Sequence, residues 1–95
     1  PILKLEIAAQ TIFDFLLDRF VDAVIPYDTG LPMTQVQKKL VSLISDNYKM
    51  IYSMCARDRD DAERLYLRLL LVTDYICGMT DTFAKDMYQE LNGIR

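Results

Sequence analysis

The stretch from Ile2 to Ile25 contains no proline or glycine, and it is apolar around most of a helical circumference. A surface helix in a small bundle needs an apolar stripe only slightly wider than about 100°. The polar residues fall three or four positions apart, so they form one narrow stripe that we interpret as a solvated face: Thr11, Asp14, Asp18 and Asp22. The sequence therefore predicts one long helix that is packed on several sides.

Turn-forming residues between Pro26 and Met33 end this helix. Thr34 and Gln37 have the spacing of a capping box, which predicts a second helix beginning at Thr34. The run Ser45–Asn47 predicts a break, because these three side chains compete for backbone hydrogen bonds. A short third helix is expected over Tyr48–Ala56. It carries apolar residues on one side: Met50, Ile51 and Met54.

A charged linker follows, in which Asp58 is the expected N-cap of a fourth helix that reaches Cys77. The first half of this helix is expected to expose charged side chains: Glu63, Arg64 and Arg68. Its second half, Leu69–Val72, is apolar all round, as in a segment inside a larger helical assembly. The last helix is expected over Asp81–Leu91, and Asn92-Gly93 is a stop signal.

These segments predict an all-α fold, a small bundle of four to five helices with orthogonal or irregular packing. Its 95 residues allow a single helical domain, residues 1–95. The first helix and Leu69–Val72 present more apolar surface than so small a bundle can bury. We therefore expect apolar side chains at an uncovered surface, among them Phe13, Phe20 and Leu71.

The sequence contains no histidine. This excludes a Ser-His-Asp triad, a Cys-His pair and a histidine-ligated metal within these residues. Cys55 and Cys77 cannot build a zinc site by themselves, and free thiols are expected in a reducing cytosol. The three glycines lie far apart, which excludes a glycine-rich phosphate loop. We therefore expect no catalytic residue, no metal ligand and no enzymatic activity in this chain alone.

The chain is acidic, with a formal net charge of −3 and a pI of about 4.7. It lacks the basic patch by which proteins bind nucleic acid or anionic lipid. Its apolar runs fall far short of the roughly 18 residues of a membrane span. The first stretch holds Lys4 and Glu6 and does not have the organisation of a signal peptide. We expect a cytoplasmic protein with no membrane partner and no nucleic-acid footprint.

The run from Asp74 to Asp81 is the local sequence least explained by packing alone. Asp74 follows an apolar segment, so its carboxylate must be paired, hydrogen-bonded or near solvent. We favour a structural role, in which Asp74 bonds a helix end or an arginine and Gly78 lets two helices cross closely. Contact with a ligand is the alternative. Thr80 or Asp81 can cap the last helix, and Asp81 is spaced to pair with Lys85.

This run, continued by Phe83 and Ala84, resembles the C-terminal signature of the bacterial dGTP triphosphohydrolase family of the HD superfamily. There, an Asp-Tyr-Ile-Ser-Gly-Met-Thr-Asp-like string precedes an aromatic residue, an alanine and a short final helix. Further segments resemble the family in order and spacing, so the resemblance covers almost the whole chain: Leu5–Ala8, Leu16–Val24 and Asp46–Tyr48. The sequence departs from the family pattern at Ala9, Gln10 and Cys77.

The resemblance implies that the chain is the non-catalytic C-terminal part of a longer HD-domain hydrolase, which converts a dNTP to the deoxynucleoside and tripolyphosphate. The divalent metal of such an enzyme is held by upstream histidines and aspartates. The C-terminal helices pack on the catalytic core and on neighbouring subunits, which implies a homo-oligomer. Six signature residues are then structural or lie near the nucleotide: Asp74, Tyr75, Gly78, Met79, Thr80 and Asp81.

A second hypothesis is a self-standing helical adaptor that binds a protein partner through its excess apolar surface. The open reading frame separates the two hypotheses. An upstream region that encodes the histidine and aspartate ligands would favour the hydrolase, whereas a frame that begins at Pro1 would favour the adaptor.

Overall fold

The computed structural model describes the backbone of residues 2–93 and the side chains of residues 9–93. Its described part forms five α-helices and no strand, which confirms the all-α prediction: α1 (Ile2–Val24), α2 (Gln35–Leu43), α3 (Asp46–Cys55), α4 (Asp61–Cys77) and α5 (Asp81–Asn92). The described side chains do not include Lys4 or the segment Leu5–Ala8, to which Glu6 belongs.

Helix α1 is the element on which most of the others pack. Helices α2, α4 and α5 contact it, whereas α3 packs mainly on α4. The second half of α1 supplies fully buried side chains to the core: Leu16, Phe20, Ala23 and Val24. The predicted polar stripe is exposed, with Asp14, Asp18 and Asp22 facing water. The prediction of a long helix packed on several sides is confirmed.

The expectation of uncovered apolar surface is wrong for two of its three residues. Phe20 has no exposed surface and Leu71 is 4% exposed, whereas Phe13 is 36% exposed. The reason is that this chain's own helices enclose the second half of α1, where Phe20 contacts the ring of Tyr75 at a centroid distance of 5.5 Å. Phe13 lies before the segment of α1 that these helices enclose.

The helix boundaries follow the capping chemistry of the sequence. The Thr34 hydroxyl accepts a hydrogen bond from the Gln37 amide at 3.1 Å, and the Gln37 side-chain oxygen accepts one from the Thr34 amide at 2.9 Å. The predicted capping box is thus present and starts α2. Helix α2 ends at Leu43, before the predicted break, but that break is shorter than predicted, because Asp46 and Asn47 already belong to α3.

The N-cap of α4 is Asp60 and not Asp58. Asp58 adopts a left-handed conformation with φ 63°, which aspartate tolerates in turns, so it cannot begin the helix. The Asp60 carboxylate accepts from the Glu63 amide at 2.8 Å, and the Glu63 carboxylate accepts in return from the Asp60 amide at 3.4 Å. The charged linker therefore contains a second capping box.

Arg68 is buried, at 5% exposure, although the sequence analysis placed it on the exposed side of α4. Its Nε donates to the carbonyl of Val24 at 2.7 Å, and its Nη2 donates to the carbonyl of Ile25 at 3.2 Å. These carbonyls end α1, where a cation is favoured by the helix dipole. Nη1 also donates to the Tyr52 hydroxyl at 3.4 Å. The free-energy cost of burying the Arg68 guanidinium is thus offset by hydrogen-bond acceptors that are distant in sequence.

Asp28 extends this network to the loop after α1. It adopts a left-handed conformation with φ 60°. Its carboxylate accepts hydrogen bonds from the Tyr52 hydroxyl at 3.0 Å and from Arg64 at 2.7 Å. The hydrogen bond to Asp28 raises the pKa of the Arg64 guanidinium above its ordinary value. The loop is therefore tied to both α3 and α4 by polar contacts.

Candidate functional site

A cleft of about 250 Å³ opens where the turn between α4 and α5 meets the junction of α2 and α3. Its walls come from both places: Ser45, Tyr48, Tyr75, Gly78, Met79, Thr80 and Phe83. Four of the six signature residues line the cleft, namely Tyr75, Gly78, Met79 and Thr80. The other two, Asp74 and Asp81, are exposed and do not line it. The central residues of the signature thus line the cleft, whereas the carboxylates at its two ends lie outside the cleft.

The turn between α4 and α5 is built from backbone bonds and one cap. The Gly78 amide donates to the Asp74 carbonyl at 3.0 Å and ends α4. The Thr80 hydroxyl accepts from the Phe83 amide at 3.1 Å and starts α5, so the predicted capping role of Thr80 is confirmed. Asp81 is the first residue of α5. Among residues 9–93, the ion pairs do not include Asp81 with Lys85 or Asp74 with an arginine.

Tyr75 joins the floor of the cleft to the end of α2. Its hydroxyl donates to the Leu43 carbonyl at 2.9 Å, and its ring meets that of Tyr48 edge-on at 5.9 Å. Burial raises the pKa of the Tyr75 hydroxyl above its ordinary value, and the nearby Tyr48 hydroxyl raises it further. Tyr75 therefore stays protonated at neutral pH and acts as a fixed donor.

Gly78 leaves space at the end of α4 for the tip of the Tyr48 side chain. A Cβ at this position would lie 2.8 Å from the Tyr48 hydroxyl oxygen and 3.3 Å from the Asp74 carbonyl oxygen. The backbone itself has no need of glycine here, because φ is −84°. The group of another helix that a side chain here would displace is thus the Tyr48 hydroxyl, and the predicted close crossing of two helices at Gly78 stays a prediction.

The Gly78→Ala variant is expected to lower the free energy of unfolding by less than about 1 kcal/mol, because the new methyl group at this exposed position must displace only the Tyr48 hydroxyl, the end of a side chain. The Tyr48→Phe background should restore at least half of that loss, since it removes the atom in conflict. Urea denaturation of both single variants and the double variant measures the coupling. Equal losses in the two backgrounds would contradict the proposed contact.

The side chains that line the cleft are uncharged. Ser45, Tyr48 and Thr80 contribute hydroxyl groups, and Met79 and Phe83 contribute apolar walls. None of the residues that line it is charged, so the cleft lining supplies no carboxylate or thiolate ligand for a metal ion. Its volume falls just below the roughly 300–1,000 Å³ of typical small-molecule pockets. It can accommodate a small neutral group or an apolar side chain.

The residues whose side chains the structure describes do not fit a resident divalent metal. Across 9–93, no three carboxylate or thiol groups converge on one point. Both cysteines are free and exposed. No described helix has the combination of length and apolarity that crossing a bilayer demands.

The α2–α3 side of the cleft was not predicted from the sequence. Ser45 was interpreted only as part of a helix break, and Tyr48 only as the start of α3. The signal available was that the predicted break Ser45–Asn47 overlaps the segment Asp46–Tyr48, which belongs to the same resemblance as the signature. Two separate segments of one resemblance thus meet in space.

Comparisons with known proteins agree with this arrangement. Residues 31–90 match the family described as the phosphohydrolase-associated domain, HD_assoc. Proteins described as deoxyguanosinetriphosphate triphosphohydrolase-like are 52% identical to the chain in Listeria monocytogenes and in Listeria innocua, over 98% of the chain and 20% of each relative. The Pseudomonas aeruginosa relative of the same description is 30% identical over 93% of the chain and 18% of its own length. No solved structure matches the chain.

The chain therefore spans about a fifth of the length of these curated relatives. The resemblance to the dGTP triphosphohydrolase family is confirmed. Because the matched residues 31–90 make up more than half of the chain and include every residue that lines the cleft, this chain belongs to the phosphohydrolase-associated domain family.

Proposed function

We propose that the chain is the non-catalytic C-terminal helical region of a deoxynucleoside triphosphate triphosphohydrolase. The observation that supports this most strongly is the pattern of coverage. The alignment takes in 98% of this chain but only 20% of the Listeria relatives. In the intact enzyme, a dNTP is cleaved to the deoxynucleoside and tripolyphosphate. The region is a single helical unit that packs on the HD core and supports a homo-oligomer.

The metal chemistry of this proposal belongs to the rest of the parent protein. The chain has no histidine, so the histidine and aspartate ligands of an HD site must come from elsewhere in the longer polypeptide. The divalent metal is thus a cofactor of the intact enzyme. We also propose a cytoplasmic location, which two free, exposed cysteines support.

The test compares three proteins: the parent, the parent without this region, and the 95-residue chain. The parent should release tripolyphosphate from a dNTP when a divalent metal is supplied. The chain alone should release none, since it carries no metal ligand set. The parent without the region should lose activity and dissociate into smaller species.

Two outcomes would overturn the proposal. One is tripolyphosphate release by the chain alone that scales with its concentration and survives repurification. The other is a truncated parent that keeps both its activity and its oligomeric state. A reading frame without upstream HD ligands would favour the self-standing adaptor, whose supporting observation is the exposed apolar surface of α3.

A further inference from the structure

We draw no further inference here: the strongest candidate, the exposed apolar patch of Met50, Ile51 and Met54 on α3, carries none, because nothing in the described residues shows what covers it.

Discussion

Replacing Phe20 by alanine is expected to lower the free energy of unfolding by about 3–5 kcal/mol. Phe20 has no exposed surface, lies in the middle of the core side of α1, and packs its ring edge against Tyr75. The substitution removes this burial and leaves a cavity among three helices that cannot all move inward. A small domain has only about 5–15 kcal/mol of stability in total. Urea denaturation followed by far-UV circular dichroism measures the loss.

The matched control is Phe13→Ala, seven residues earlier on the same helix. Phe13 is 36% exposed, so the same substitution there should cost only about 1–2 kcal/mol. Comparable losses for the two variants would show that the helices do not enclose α1 in the way described. Because the two residues share residue type and helix, helix propensity cancels in the comparison.

Arg68→Ala is expected to cost about 2–4 kcal/mol, since the hydrogen bonds of a buried charged group and the packing of its side chain are lost, whereas the desolvation cost of the guanidinium is relieved. The variant loses the donors to the Val24 and Ile25 carbonyls and to the Tyr52 hydroxyl. The Val24 carbonyl keeps the Tyr27 amide as a partner, which limits the loss. Thermal and urea unfolding of the variant give its magnitude.

Two comparisons separate the causes. Arg68→Met retains much of the side-chain volume, so its loss of unfolding free energy reports mainly the missing hydrogen bonds. The additional loss in Arg68→Ala then reports the cavity. Arg57→Ala removes the same charge from an exposed position between α3 and α4 and should change stability by less than about 0.5 kcal/mol. If Arg68→Ala behaved like Arg57→Ala, the buried position of Arg68 would be refuted.

Local chemistry made most of the helix boundaries predictable. Thr34 with Gln37, Thr80 with the Phe83 amide, and Gly93 after α5 all act within three or four residues, so the sequence contains both partners of each interaction. Asp60 with Glu63 has the same spacing and was available to the same reasoning. The predicted N-cap Asp58 instead has a left-handed backbone, so this prediction was wrong.

Interactions between distant segments were not predictable in this way. Arg68 sits at helical spacing from Val72 and Tyr75, which indicates the inward face, but its burial depends on carbonyl groups 43 and 44 residues away. The cleft has the same origin. The signature, which was predicted only to be structural or near a nucleotide, supplies one wall, whereas Ser45 and Tyr48 reach the cleft only through the tertiary packing of α3 on α4.

The order of the helices has a consequence for synthesis on the ribosome. The helix that contacts α2, α4 and α5 is the first of the five to be made. At about 5–20 residues per second, roughly 3–14 seconds separate the emergence of the end of α1 from that of the end of α5. During that interval the core around Phe20 and Leu16 lacks the side chains of the later helices, so it closes fully only after α5 has been made. The core side of α1 is therefore the apolar segment that stays uncovered for the longest time during synthesis, and it is the segment that a chaperone specific for apolar chains would meet.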